Sequence, residues 1–231
     1  MREAQEKSAL ALANGDGRSC GGKSSMSAWK LVGIYLCVSL LGGLIRRAFV
    51  SVMPLPGVDP DIVVGGTELT AAVLVILAVL RWSPGMAKRF SFEFNLKFLP
   101  FACALGLLGG NVCFAIQKTW GGVTFFNFDV LTLALGVFIA PVVEEILCRG
   151  IILESFLQKH SVLFSVLLTT ILFAFDHANF WPALAGQIML STVYLCSRRS
   201  LTMSMIAHAI SNLATGFPSD VLRYTHYFKS W

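Results

Sequence analysis

The sequence predicts an all-α protein, a polytopic bundle of about seven transmembrane helices. Three observations lead there. Of 231 residues, 55% are apolar and 13% are charged, whereas a soluble domain carries about 25% charged residues. The apolar residues gather in long runs with short connectors, and the first three runs each have about the 17–20 residues a helix needs to cross hydrocarbon. No ten-residue alternating segments occur, so helices rather than barrel strands must span.

The expected spans run roughly over 28–45, 62–80, 98–116, 130–157, 161–178, 181–197 and 201–216. Residues 1–25 precede them as a polar tail of disordered composition, with the stretch NGDGRSCGGKSS. Its apolar piece, Ala9 to Ala13, is too short for a signal-peptide core. Met26 stands just before the first run and is an alternative start. The fourth run is long and holds Pro141 with several charges, which predicts a kink or an interfacial extension. The last run is short for a span. The chain therefore divides into a tail (1–25), N-terminal helices (26–129), a core holding the misplaced ionisable groups (130–216) and a C-terminal tail (217–231). No internal repeat is visible.

The net charge of +5 does not point to nucleic acid, because Lys and Arg sit mostly at the ends of apolar runs. The tail carries Arg2, Lys7, Arg18 and Lys23; the 81–97 connector carries Arg81, Lys88, Arg89 and Lys97; Arg198 and Arg199 follow the sixth span. Placing these on one side puts the N-terminus in the cytoplasm, with Arg46 and Arg47 as the exceptions. Of six cysteines, no two have CxxC spacing and five lie in apolar runs, where Cys behaves as a small hydrophobe.

An ionisable residue at mid-helix in a bilayer costs about 2.5–3.5 kcal/mol on insertion scales. Three groups here require a reason. In PVVEEILCRG, Glu145 and Arg149 are spaced i, i+4 and share a face, so they neutralise one another. Glu144 lies about 100° away and has no local partner. In FAFDHANFW, Phe173 precedes His177 by one turn, with Asp176 adjacent. In MSMIAHAISNLATG, His208 and Asn212 share a face that Ser204, Ser211 and Thr215 extend. Each group has a plain structural alternative: a solvated helix end, an interfacial histidine, and interhelical hydrogen bonding, respectively. Together they supply a base, a site for water and donors for an oxyanion, the parts of a hydrolytic centre.

At these residues the sequence resembles the CPBP family of intramembrane proteases, the CAAX-protease and bacteriocin-processing family. The family motifs EExxxR, FxxxH and HxxxN read here as Glu144-Glu145 to Arg149, Phe173 to His177 and His208 to Asn212, in the family's order. The resemblance covers roughly residues 130–216. It implies that Glu144 activates water with help from His177, and that His208 and Asn212 bind the oxyanion. Glu145 and Arg149 would hold the site together, and Phe173 would shape the pocket. Two His, a Glu and an Asn could hold zinc, but zinc seldom takes an amide ligand, so the glutamate-and-water mechanism suits these residues better and no cofactor is favoured, with zinc the lesser alternative. The expected partners are the bilayer and a protein or peptide substrate with a membrane-associated segment. The short chain resembles prokaryotic members, which places it in a plasma membrane.

Other protease classes fit less well. There is no HExxH, no GxSG-type serine motif and no GxGD within a span. Cys148 lies one turn after Glu144, but a thiol in apolar surroundings stays protonated. Two non-protease readings remain: a noncatalytic scaffold or bacteriocin-immunity protein of the same family, and a small proton-coupled transporter. The transporter lacks the repeated halves such proteins often show. Because residues 1–25 are polar and precede every apolar run, a chain starting at Met26 is expected to insert and keep its activity. Loss of folded protein in that truncation, followed by size exclusion in detergent, would refute the expectation.

Overall fold

The structure is a computed structural model describing Ser27 and residues 29–38, 60–83, 85–120, 134–175, 177 and 179–229; for 60–65, 67–68, 120 and 217–229 it describes backbone alone. The polar tail, Arg46, Arg47 and Asp176 lie outside the described residues.

The described residues are all-α, as expected. Seven helices follow in order: α1 (Trp29–Val38), α2 (Pro60–Trp82), α3 (Leu99–Trp120), a composite α4 (residues 134–157), α5 (Val162–Phe175), α6 (Phe180–Cys196) and α7 (Leu201–Lys229). Of these, Leu99–Thr119 in α3 is long and apolar enough by itself to cross hydrocarbon. The apolar α5 and α6 are shorter, at 14 and 17 residues. At 1.5 Å per residue, α5 rises about 21 Å against a hydrocarbon core of about 30 Å. The seven expected spans are thus seven helices of unequal reach. The last one runs on to Lys229, well beyond its expected end at 216.

Helix α4 departs most from regularity. Two π-helical stretches, Ala134–Ile139 and Ile146–Leu153, flank the α-helical Ala140–Glu145, and a last turn follows at Glu154–Leu157. The amide of Glu154 bonds the carbonyl of Arg149, five residues back. Such wide turns are frequent at functional sites. They are the physical form of the irregularity expected around Pro141.

One apolar cluster holds α4 against α1 and α2, and a second joins α3, α6 and α7. In the first, Val143, Leu147, Ile151, Ile152 and Phe156 pack with Val75, Ile76 and Val79 of α2 and Leu31, Val32 and Tyr35 of α1. Trp29 closes that cluster edge-on to Phe156, with ring centroids 5.4 Å apart. A second cluster joins Ala102 of α3, Leu190 and Val193 of α6, and Met203 and Ala207 of α7. Leu74, Leu77, Leu107, Leu108, Leu163 and Leu167 face outward, as lipid-facing residues do.

Helices α3 and α7 approach at backbone contact. A Cβ at Gly106 would stand 2.5 Å from the Ala207 carbonyl oxygen, and one at Gly110 would stand 2.5 Å from that of Ser211. This is the small-xxx-small packing of membrane helices, where close approach replaces a hydrophobic driving force. It fixes the height and rotation of α7 and so of His208. Gly106→Ala and Gly110→Ala are each expected to destabilise by about 1–3 kcal/mol through overpacking. Thermal unfolding in detergent checks this; unchanged midpoints in both variants would show that the helices can part freely.

Candidate active site

The site forms where α4 meets α7. Glu145 ends the α-helical part of α4, and Arg149 follows one turn later in the π stretch. Both are fully buried. Arg149 Nη1 lies 2.8 Å from Glu145 Oε1, which gives the ion pair that the i, i+4 spacing predicts. Arg149 Nη2 also donates to the Gln187 carbonyl of α6 at 3.1 Å. The pair is thereby tied to a third helix.

Glu145 has two further partners, both on α7. Ser204 Oγ donates to Glu145 Oε2. His208 Nδ1 is 2.9 Å from Glu145 Oε1. Ser204 and His208 are one turn apart, so both reach the same carboxylate. A carboxylate held by an arginine and a hydroxyl donor acts as an acceptor, which places the proton of His208 on Nδ1. That assignment follows from the hydrogen-bond network.

The other nitrogen of that ring faces Glu144. His208 Nε2 is 3.6 Å from Glu144 Oε2, and the Glu144 side chain is 27% exposed while Glu145 is fully covered. The adjacent glutamates do point apart, as helical geometry requires, yet one imidazole spans both. Glu144 finds its partner on another helix, which spacing along α4 could not disclose. Their environments differ: Glu145 is enclosed with both oxygens engaged, and Glu144 is part-exposed and, among the described residues, faces His208.

Asn212 lies one turn beyond His208 and is half-buried. Its Nδ2 donates to the Gly136 carbonyl at 2.7 Å, in the first π stretch of α4. It thus joins α7 to the opposite end of the segment that carries Glu144. No bond links Asn212 to His208 or Glu144 among the described residues.

The third motif stands apart. Phe173 is buried in α5, and His177 stacks on its ring with centroids 4.0 Å apart. His177 Nδ1 is 2.8 Å from the Phe173 carbonyl oxygen. A carbonyl only accepts, so Nδ1 carries the proton and Nε2 keeps a lone pair. His177 is exposed and has no hydrogen bond to Glu144, His208 or Asn212. Glu144, Glu145, Arg149 and His208 are therefore in one cluster, with Asn212 one turn away and His177 at the end of the neighbouring helix.

Two contributors escaped the sequence reading of the site. Ser204 was visible as part of a polar stripe, but its partner was not. Gln187 contributes a backbone carbonyl, for which no side-chain signal exists. As for a metal, among the described residues no group of three or more His, Cys, Asp and Glu side chains is placed to hold an ion. Both Glu145 oxygens are already engaged.

Residues 126–214 match the family described as Type II CAAX prenyl endopeptidase Rce1-like. The matched stretch contains all three motifs and bears out the resemblance they carry. No curated protein and no solved structure matches the chain.

Removing one partner of a buried ion pair leaves an uncompensated charge, at a cost of about 3–5 kcal/mol. Glu145→Ala and Arg149→Ala are expected to lower folded yield strongly, and Ser204→Ala to lower it less. Parent-like abundance of both Glu145→Ala and Arg149→Ala, measured by fluorescence-detected size exclusion, would show that the pair is dispensable.

Proposed function

We propose that this chain, whose residues 126–214 match the Type II CAAX prenyl endopeptidase Rce1-like family, is an intramembrane endopeptidase in which Glu144 activates water. The observation that carries the reading is the unequal state of two adjacent carboxylates joined by one imidazole. Glu145 is spent on structure, whereas Glu144 is part-exposed with His208 Nε2 at 3.6 Å. A general base must be reachable by water and have somewhere to pass its proton.

Glu144 takes a proton from water, and the resulting hydroxide adds to the scissile carbonyl carbon. The proton passes from Glu144 to His208 Nε2, whose neighbour Nδ1 is already anchored on Glu145. The imidazolium Nε2–H then donates to the developing oxyanion, and Asn212 adds its amide as it turns from Gly136. Collapse of the tetrahedral intermediate breaks the C–N bond, and the proton returns through Glu144 to the leaving amine. His177 supports water activation with its Nε2 lone pair, which requires the end of α5 to bring the ring toward Glu144. Phe173 stacks on that ring and governs its approach. No resident metal is needed for these steps; zinc is the competing reading.

The substrate proposed is a membrane-associated protein or peptide cut near its C-terminus or within its membrane segment, in a prokaryotic plasma membrane with the N-terminus of this chain cytoplasmic. A noncatalytic scaffold of the same family is the second reading. It is favoured less because Glu144, His208 and Asn212 are all present in the expected order.

Glu144→Gln keeps shape and hydrogen bonding but removes the base. It is expected to fold like the parent and to abolish cleavage of a reconstituted substrate in liposomes. His208→Ala or Asn212→Ala is expected to cost about 10²–10³ in rate, typical for loss of one oxyanion donor. Full cleavage by Glu144→Gln would overturn the mechanism, and loss of activity with chelator that zinc restores would favour the metal reading.

A further inference from the structure

A basic and aromatic strap joins α2 to α3 along the chain. It begins with the 3-10 turn Ala87–Arg89, is extended at Phe90, and reaches α3 through a turn at 96–98. Three contacts hold it. The Phe90 ring covers Gly150, one residue past Arg149, so closely that a Cβ there would meet Cε1 at 3.0 Å. Ser91 pairs with Ser200 as an isolated bridge, and the Leu201 amide bonds the Ser91 carbonyl at 2.8 Å. Ser200 Oγ donates to the Glu93 carbonyl. The strap is therefore built onto both the motif-bearing α4 and the α6–α7 turn.

Its outer surface is amphipathic. Phe92, Phe94 and Leu96 alternate with Glu93, Asn95 and Lys97, and all three apolar side chains are more than half exposed. Trp82 is likewise exposed, at the end of α2. Arg81, Lys88, Arg89, Lys97 and Arg198 are exposed and make no ion pair among the described residues. Arg199 shares its charge with Glu154 at 3.3 Å. Glu93 is the sole acid within residues 81–97.

The α6–α7 turn adds an independent observation. Arg198 and Arg199 both have left-handed backbone, with φ of 60° and 61°. Glycine or asparagine adopts that conformation at little cost, and arginine does not. A strained backbone that carries two cations outward points to a use for the charge. Exposed aromatics at the level of clustered cations are the pattern of a membrane interface, and an excess of unpaired positive charge there attracts anionic headgroups.

We propose that residues 87–97 and the α6–α7 turn form an interfacial strap that binds anionic phospholipid. Phe92, Phe94 and Leu96 enter the headgroup–acyl boundary, while Lys88, Arg89, Lys97 and Arg198 engage phosphate. Because Phe90 rests on Gly150, occupancy of the strap steadies the π stretch that carries Arg149.

The test uses the full chain in vesicles of phosphatidylcholine alone and of phosphatidylcholine mixed with phosphatidylglycerol, with the thermal unfolding midpoint as readout. The parent is expected to unfold at a higher temperature in the mixed vesicles, and the gain should shrink as salt rises. A triple variant, Lys88→Gln with Arg89→Gln and Arg198→Gly, leaves the Arg199–Glu154 pair intact. It should match or exceed the parent in phosphatidylcholine and lose most of the gain from phosphatidylglycerol. The single variants Lys88→Gln and Arg198→Gly should each lose part of it, which keeps the test decisive if the triple variant folds poorly. Glycerol phosphate added to phosphatidylcholine vesicles should leave the midpoint unchanged. Equal parent midpoints in the two vesicles, a full gain in the variants, or a gain reproduced by glycerol phosphate or by an acidic peptide would each overturn the proposal.

Discussion

Everything at the centre of this protein depends on the enclosed carboxylate of Glu145. A charge taken fully out of water survives only when its lone pairs are met, and here Arg149, Ser204 and His208 meet them. Those three donors come from two helices, and the arginine reaches a third through the Gln187 carbonyl. Satisfying one buried group thus fixes the mutual position of α4, α6 and α7. The same bonds orient the imidazole, and the imidazole in turn meets Glu144. The two glutamates are therefore coupled through a single ring with two unlike faces.

The irregular path of α4 belongs to the same constraint. A regular helix carrying Pro141, two glutamates and an arginine through a bilayer would leave several polar groups without partners. The π stretches on either side of Glu144 and Glu145 give the chain room to turn those side chains toward α7. They also free the Gly136 carbonyl, which Asn212 occupies. Backbone departure and cross-helix hydrogen bonding occur at the same places because each makes the other tolerable.

Much of this was legible in the sequence, for specific reasons. Helical spacing alone assigned Arg149 to Glu145, because i, i+4 neighbours on one helix need no knowledge of the fold. The polar stripe through Ser204, His208 and Asn212 was equally plain. The partner of Glu144 was not, since it lies 64 positions on and is set by how two helices pack. The π turns have no compositional signature. The extension of α7 to Lys229 was missed because residues 217–229 are too polar to read as a membrane span. Gly106 and Gly110 were legible in principle, as a G-x-x-x-G within an apolar run. His177 sat in a recognisable motif, yet its distance from the cluster depends on the end of α5, which local pattern does not fix.

The close approach of α3 to α7 has a consequence for how small the working unit can be. The motif-bearing stretch 126–214 contains every group assigned to the chemistry, but not the glycines against which α7 is seated. Excised at those boundaries, α7 would turn the groove around Ala207 and Ser211 toward lipid, and nothing would set the height of the imidazole beside the two glutamates. The indivisible module is therefore larger than its signature. Grafting the three motifs onto another membrane scaffold would transfer side chains without the glycine seat that gives them their register.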